Sequence, residues 1–394
     1  MLRKLLCLLL LFCLGPAAAG AQQQCPSPTV MQAVKRFVQA AQGGTAPRSA
    51  DRAALAEFAQ RGASCPAEPA RYKDMPGAVH TFEVQADLQT ILATQYHQDI
   101  PSSMIMPSSV RCSKWLEVTG QPEATLPDLA DMVANGTKSV LLRGLEQETN
   151  TPDLFTGTYY TYRQHRLLYL HVPAQGAPFL LSVTAQKERS AVGHKGQVLG
   201  EDNLWTYFYS GEKGVNKLGL GWVDSYIDDS AAVTLYTQSP SGSATRVTTL
   251  KWLEAGWLGM NMVKSKHIQA GLERFAHGLT TVLQSPKRPA PRGLARVGRW
   301  LAAQPRDQLA QWQRQLAQNR PSGPFPSAED ELTRMRDPEY TSATSHNTLV
   351  CAVGLEFIKC QLELPSAAAS QTCRQIFDPV LDQRKGSSNA TAQR

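Results

Sequence analysis

Acidic residues are the first candidates for chemistry. Asp224, Asp228 and Asp229 lie within the run DSYIDDS. In an extended strand, positions i and i+4 share a face, so Asp224 and Asp228 would stand on one side, where two carboxylates could flank a glycosidic bond or hold a hard cation. The same run equally suits an exposed strand with a bulge or turn, and Glu201-Asp202-Asn203 reads as a loop. The eight histidines are scattered. His165 and His171, in neighbouring predicted strands, come nearest to a ligand pair, and no third ligand joins them. The chain contains no G-x-S-x-G, H-E-x-x-H, G-x-x-x-x-G-K-[ST] or G-x-G-x-x-G, and GLGW at 219–222 lacks the third glycine and a following helix. No catalytic residue, metal ligand or cofactor is assigned on these motifs.

A different chemistry, the shelter of an apolar molecule, is suggested by KWLEAGWLGMNMVKSKHI, Lys251 to Ile268, where tryptophans, methionines and glycines run into a basic helix start. Aromatic residues concentrate in the same half of the chain, among them Trp205, Tyr207 and Tyr209 alternating on one strand face. Rings of this kind line apolar cavities, and they also fill ordinary cores. After Asn261, Ile268, Leu272, Phe275, Leu279 and Val282 recur at helical spacing, with Lys266, Gln269, Glu273, His277 and Thr280 opposite them, up to Ser285-Pro286. Gly271 and Gly278 lie one above the other on this helix. Each costs about 1 kcal/mol against alanine, so a strand backbone or a ligand should approach closely there.

The elements that position these residues begin with an export signal. Met1 to Lys4 form a basic start, Leu5 to Leu14 an apolar run, and Ala17 to Ala21 a small-residue cleavage zone, so residues 1–21 read as a signal peptide cut after Ala21. No later segment is apolar enough to span a membrane, which implies a periplasmic or secreted address. Losing Arg3 and Lys4 takes the formal net charge from +7 to +5, a mild excess that does not mark a nucleic-acid binder. Six cysteines remain, Cys25, Cys65, Cys112, Cys351, Cys360 and Cys373, an even number in an exported chain without C-x-x-C, which favours disulfides. Ser27-Pro28 opens a helix and a second begins at about Ala50, so an antiparallel hairpin brings Cys25 to Cys65. Cys351 and Cys360 stand on opposite faces of one helix. Cys360 therefore meets Cys373 across the turn at Pro365, which leaves Cys351 for Cys112.

Between them, short β runs separated by Gly, Pro, Asn and Asp predict strands at His80–Gln85, Val110–Val118, Ser139–Glu148, Gly157–Arg166, Leu167–Val172, Phe179–Glu188, Trp205–Gly211, Trp222–Tyr236 and Ser243–Leu253. Helices are expected at Leu88–Tyr96 and Leu126–Ala134. The fold class is α+β: a curved, largely antiparallel sheet covered by a long C-terminal helix, with helical hairpins appended at both ends. Its parts are the N-terminal disulfide-linked hairpin (22–77), the α+β unit (78–285), a Pro-rich basic linker with short helices (286–344), and a disulfide-linked hairpin with a frayed tail (345–394).

The close of the β region, RVTTLKWLEAGWLGMNMVKSKHIQAGLERFAHGLTTVL at 246–283, resembles the end of START-like, helix-grip domains: a last strand, a glycine turn, an asparagine near a helix start, and a long helix laid across the sheet. The resemblance covers about residues 78–285. It implies a hydrophobic cavity between helix and sheet that binds a lipid or another apolar small molecule. In that reading Trp252, Trp257, Met260 and Met262 form the mouth, Ile268, Leu272, Phe275 and Leu279 the wall, and Asn261 and Lys264 meet a polar head group. Three functions stay open: an exported binding protein of this kind; an envelope interaction module with a filled core, using Trp300, Trp312 and the basic linker on a protein partner; and a hydrolase working through Asp224 and Asp228.

Overall fold

The computed structural model describes residues 25–381 apart from 63–64, 66–70, 138, 174–176, 218–220, 240 and 326. The expected signal segment at 1–21 and the tail beyond Leu381 lie outside the described residues. Ser27 caps the first helix, its hydroxyl accepting a hydrogen bond from the Val30 amide, with Pro28 at the first helical position. That helix, α1 (Pro28–Ala41), packs beside the antiparallel α2 (Ser49–Gln60), and Cys25 is bonded to Cys65.

The strands, in chain order, are β1 (Gly77–Val84), β2 (Val110–Val118), β3 (Ser139–Asn150), β4 (Thr158–Tyr159), β5 (Thr161–His171), β6 (Phe179–Gln186), β7 (His194–Val198), β8 (Tyr207–Lys213), β9 (Val215–Lys217), β10 (Gly221–Val223), β11 (Tyr226–Gln238), β12 (Thr245–Trp257) and β13 (Met260–Asn261). Helices α3 (Leu88–Gln95) and α4 (Leu129–Ala134) interrupt them. One antiparallel sheet has the order β1-β12-β11-β6-β5-β3-β2, with β13 on β12. β4, β7 and β8 form a second sheet, and β9 pairs with β10.

Several details differ from the sequence reading. The predicted strand Trp222–Tyr236 is broken at Asp224 and Ser225 into β10 and β11. The run from Thr161 to His171 holds no Gly, Pro, Asn or Asp to break it, so it is one strand, and His165 and His171 share it instead of facing each other across two. β12 does not end at Leu253. It continues to Trp257 and reverses through Leu258 and Gly259, both at positive φ, into β13. Gly256 permits this hairpin, because a Cβ there would lie 1.9 Å from the Met260 carbonyl oxygen. Asn261 therefore belongs to a strand, and the long helix α5 (Ser265–Gln284) starts four residues later.

Alternation along the strands gives the main sheet two different faces. Leu167, Leu181, Val233, Leu250 and Trp252 pack against Val34, Phe37 and Leu55 of α1 and α2. Full burial of such side chains contributes about 1.5–3 kcal/mol each. The opposite face is covered by α3, α5, α6 (Pro291–Ala302), α7 (Arg306–Gln318), α10 (His346–Leu362) and α11 (Ser370–Leu381), with α8 (Glu329–Arg336) and α9 (Pro338–Ser342) outside them. Leu168, Leu170, Leu180 and Val247 of the sheet share one core with Leu294, Val297, Leu309 and Phe357. The stretch after Ser285 is thus built into the core, not strung beside it. Cys112 of β2 is bonded to Cys351 of α10, and Cys360 to Cys373. The molecule is α+β with a large antiparallel sheet and eleven helices among the described residues.

Candidate functional site

The helical face of the sheet is only partly filled. At one edge α5 lies on β1 and β12, with Ile268 and Leu272 against Ala78, and Phe275 edge-to-face with Phe82, ring centroids 5.9 Å apart. On the far side stand the segment 95–110 and the inner faces of α6 and α10. Between them opens a cleft of about 930 Å³, toward the upper end of the size range of small-molecule sites. Its apolar contributions come from Ile268, Leu272, Phe275, Met106, Trp115 and Val350.

The floor is polar. Along the same strand faces that carry Leu168, Leu170 and Leu180 into the core, the next positions toward the cleft are Arg166, Gln164 and Tyr162 on β5, Ser182 and Thr184 on β6, Glu146 and Glu148 on β3, Thr234 on β11, and Thr249 and Lys251 on β12. The register sets Glu146 opposite Gln164 and Glu148 opposite Tyr162. Tyr162, Glu148, Gln164, Glu146, Arg166 and Ser182 form a continuous hydrogen-bonded row. The Tyr162 hydroxyl donates to Glu148, and the Gln164 amide reaches Glu146 at 3.0 Å and Glu148 at 3.4 Å. Arg166 donates to Glu146 through Nε at 2.6 Å and Nη2 at 2.5 Å, and to the Ser182 hydroxyl at 2.9 Å. Farther along, Gln95 donates to the Tyr236 hydroxyl at 2.8 Å, which lies 3.2 Å from that of Tyr96.

Charge in this row is tuned by enclosure. Burial, then the charge on Glu146, raises the Glu148 carboxyl above its ordinary value against the pull of Tyr162, Arg166 and Lys251. Burial lowers the Lys251 ammonium, and Glu148 restores part of the loss. Tyr162 is pushed well above the usual phenol range by burial and by Glu148. Burial works against the charge on Arg166, but Glu146, Tyr96 and Glu148 together hold the guanidinium protonated. The cleft therefore combines a neutralised carboxylate, a carboxyl inclined to keep its proton, and a lysine. Such a set can orient the polar end of a bound molecule by hydrogen bonds and charge.

The sequence-predicted residues divide between several places. Ile268, Leu272 and Phe275 line the cleft, and Leu279 lies in the core just beyond it. Trp252 projects from the opposite face of the sheet, onto α1 and α2, because Lys251 takes the cleft-facing position beside it. Trp257, Met260 and Met262 belong to the β12–β13 hairpin end, and the two methionines are exposed. The Asn261 side chain accepts hydrogen bonds from the Val263 amide at 3.0 Å and the Ala255 amide at 3.3 Å, so it stabilises the hairpin. Lys264, exposed, precedes α5 and does not line the cleft. Gly278 is where chain meets chain: a Cβ there would lie 2.3 Å from the Ser108 hydroxyl, which donates to the Arg274 carbonyl. Gly271 faces the open cleft, with nothing within 4 Å of a Cβ.

The acidic run stands apart from the cleft lining. Asp228 pairs with Arg189 at 2.8 Å and Asp229 with Lys73 at 3.0 Å, at a bulge between Ile227 and Asp229, while Asp224 is exposed. Among the described residues, no group of three His, Cys, Asp or Glu side chains could hold a metal ion. Trp205 and Tyr207 are core residues, and Trp300 and Trp312 stack on each other at 4.9 Å. Glu146, Glu148, Tyr162, Gln164, Arg166 and Lys251 escape a sequence reading. Their only signal is a polar residue at every second strand position, which ordinarily means a solvent face.

No protein-family model and no curated protein matches the chain. Three disulfides fit an oxidising compartment, and among the described residues no helix is long and apolar enough to cross a membrane.

Proposed function

We propose that this is an exported binding protein that takes a lipid-like small molecule into the cleft between α5 and the main sheet. The observation that carries this reading is the cleft itself, about 930 Å³ with an apolar wall on the helix side and a hydrogen-bonding floor on the sheet side. A molecule with an apolar body and a polar end matches both surfaces at once: its body removes the half-buried Phe275 and Met106 from water at about 25 cal/mol per Å², and its polar end replaces water over the floor. A long helix lying along β1 and β12 of an antiparallel sheet supports the START-like, helix-grip resemblance and its cavity. The purely hydrophobic cavity that the resemblance implies is narrowed to an amphipathic one by the residues on the floor. Export to the periplasm or medium, with cleavage after Ala21, accords with the three disulfides.

Organic extraction of protein purified under native conditions, followed by mass spectrometry, tests the reading. A stoichiometric amphiphile in the extract is the expected result. A clean extract, together with failure of the protein to take up any amphiphile offered to it, would overturn it.

A further inference from the structure

Among the described residues of the enclosed floor, Lys251 is the cation that Glu148 steadies only from beyond contact, with no acceptor within hydrogen-bond reach. The register places Ala78 on one side of it and Ala232 on the other, so neither cross-strand neighbour offers an acceptor or fills the space beside the lysine stem. Among the described residues its ammonium makes no hydrogen bond and no ion pair. The arginines around it are spent: Arg166 on Glu146 at 2.5 Å, Arg274 on Asp202 at 2.6 Å, Arg299 on Asp99 at 2.6 Å. Lys114 stands exposed at the rim. The two floor carboxylates are occupied in turn, Glu146 by Arg166 and Gln164, Glu148 by Tyr162 and Gln164. An ammonium carries three donors and no acceptor. What Lys251 lacks is thus an acceptor within hydrogen-bond reach, because both floor carboxylates are turned to other donors.

From this juxtaposition we infer that Lys251 anchors the anionic head of the ligand, a carboxylate or a phosphate monoester, with the apolar chain directed along α5 toward Phe275. The inference rests on the amphiphile reading above and names its ligand class. The lowered ammonium value of Lys251 agrees with it, since an enclosed cation without an acceptor in reach gains most from an incoming anion. Glu148, whose carboxyl burial inclines toward the protonated form, offers that anion little repulsion and can present it with a proton.

The test compares, on the disulfide-intact protein, four ligands of one chain length: a long saturated fatty acid, the alkyl phosphate, the alcohol and the alkylamine. Wild type is set beside Lys251→Met and Lys251→Arg. The expected result is that wild type binds one or both anions roughly tenfold or more tighter than the alcohol, as a charged hydrogen bond is worth. Lys251→Met should bring the anions down to the level of the alcohol without weakening the alcohol, and Lys251→Arg should keep most of the preference. The better of the two anions tells carboxylate from phosphate. Equal binding of alcohol and anions by wild type, a preference for the amine, or an unchanged anion preference in Lys251→Met overturns the assignment of Lys251 while the amphiphile reading stands. Failure of wild type to bind any of the four overturns both. Alcohol binding by Lys251→Met verifies its fold; if that variant does not fold, the ligand order of wild type and Lys251→Arg decides.

Discussion

Glu148 shows how the floor of the cleft trades stability for chemistry. Its carboxyl is raised above the ordinary glutamate value of 4.5, so the fold favours the protonated form. Its contribution to stability is therefore fully present below that ordinary value and is lost as pH rises through the raised one. Glu148→Gln keeps the shape and an acceptor for Tyr162 but has no charge to bury. The variant should melt above wild type at neutral pH, with the difference closing toward about pH 4; thermal melts across this range check it, and a constant difference would refute the assignment. The neighbouring pair behaves oppositely. Arg166 and Glu146 are nearly enclosed, with side chains 15% and 8% exposed, so removing one partner strands the other charge. Arg166→Met should cost about 3–5 kcal/mol, and the double variant Glu146→Leu with Arg166→Met should recover much of it. Urea unfolding of the cycle measures this, and a loss below about 1 kcal/mol for the single variant would mean that water still reaches the pair.

Helix α5 holds two glycines on one side that do different work. Gly271 borders open space, so Gly271→Ala should add up to about 1 kcal/mol of stability from helix propensity, whereas Gly271→Leu should fill the cleft and weaken ligand uptake with the fold intact. At Gly278 the space belongs to Ser108, and Gly278→Leu should cost about 1–3 kcal/mol by overpacking. Melting curves together with ligand titration separate the two positions; equal effects on binding and stability at both would contradict the geometry. Elements of this kind were legible in the sequence where a local rule fixes them. Ser27-Pro28 marks the start of α1, Val110–Val118 is β2 to the residue, the apolar stripe from Ile268 to Val282 is α5, and the helix ends imply the three disulfides. The cleft floor was not legible, because it depends on which strands are neighbours. Glu148 meets Tyr162 only through the pairing of β3 with β5, and Lys251 gains its empty flanks only because β1 and β11 both place alanine beside it. Local patterning also misplaced Trp252: a tryptophan beside a lysine in a strand gives no sign of which face the cleft occupies.

The whole molecule is held as one body by the helices C-terminal to the main sheet. Beneath α10, Arg320 and Lys359 both reach Glu356, at 2.5 and 3.1 Å, with Lys359 also donating to Thr206 at 3.0 Å, all in the interior. Burial and then Arg320 pull the Lys359 ammonium down to about 7. Because the unfolded chain keeps the ordinary value of 10.5, stability rises as pH climbs from about 7 toward it, and Lys359→Met should melt above wild type at about pH 6, with the advantage shrinking toward pH 10. The same region carries the larger consequence. Leu294, Val297, Leu301, Leu309, Leu316 and Phe357 are fully buried in the core that holds Leu168, Leu180 and Val247 of the sheet. Cys112 and Cys351, 239 residues apart, close a loop worth about 5 kcal/mol in the chain-entropy model. A detachable partner-binding tail would leave the sheet and its cleft intact when removed. Here removal strips the apolar face of β5, β6 and β12 and frees Cys112. A chain ending at Ser285 should therefore lose its cooperative melt and near-ultraviolet circular dichroism and aggregate, whereas the full chain keeps both; a soluble fragment melting cooperatively would show that the two parts fold separately and that the cleft does not depend on α6 and α10 for its far wall.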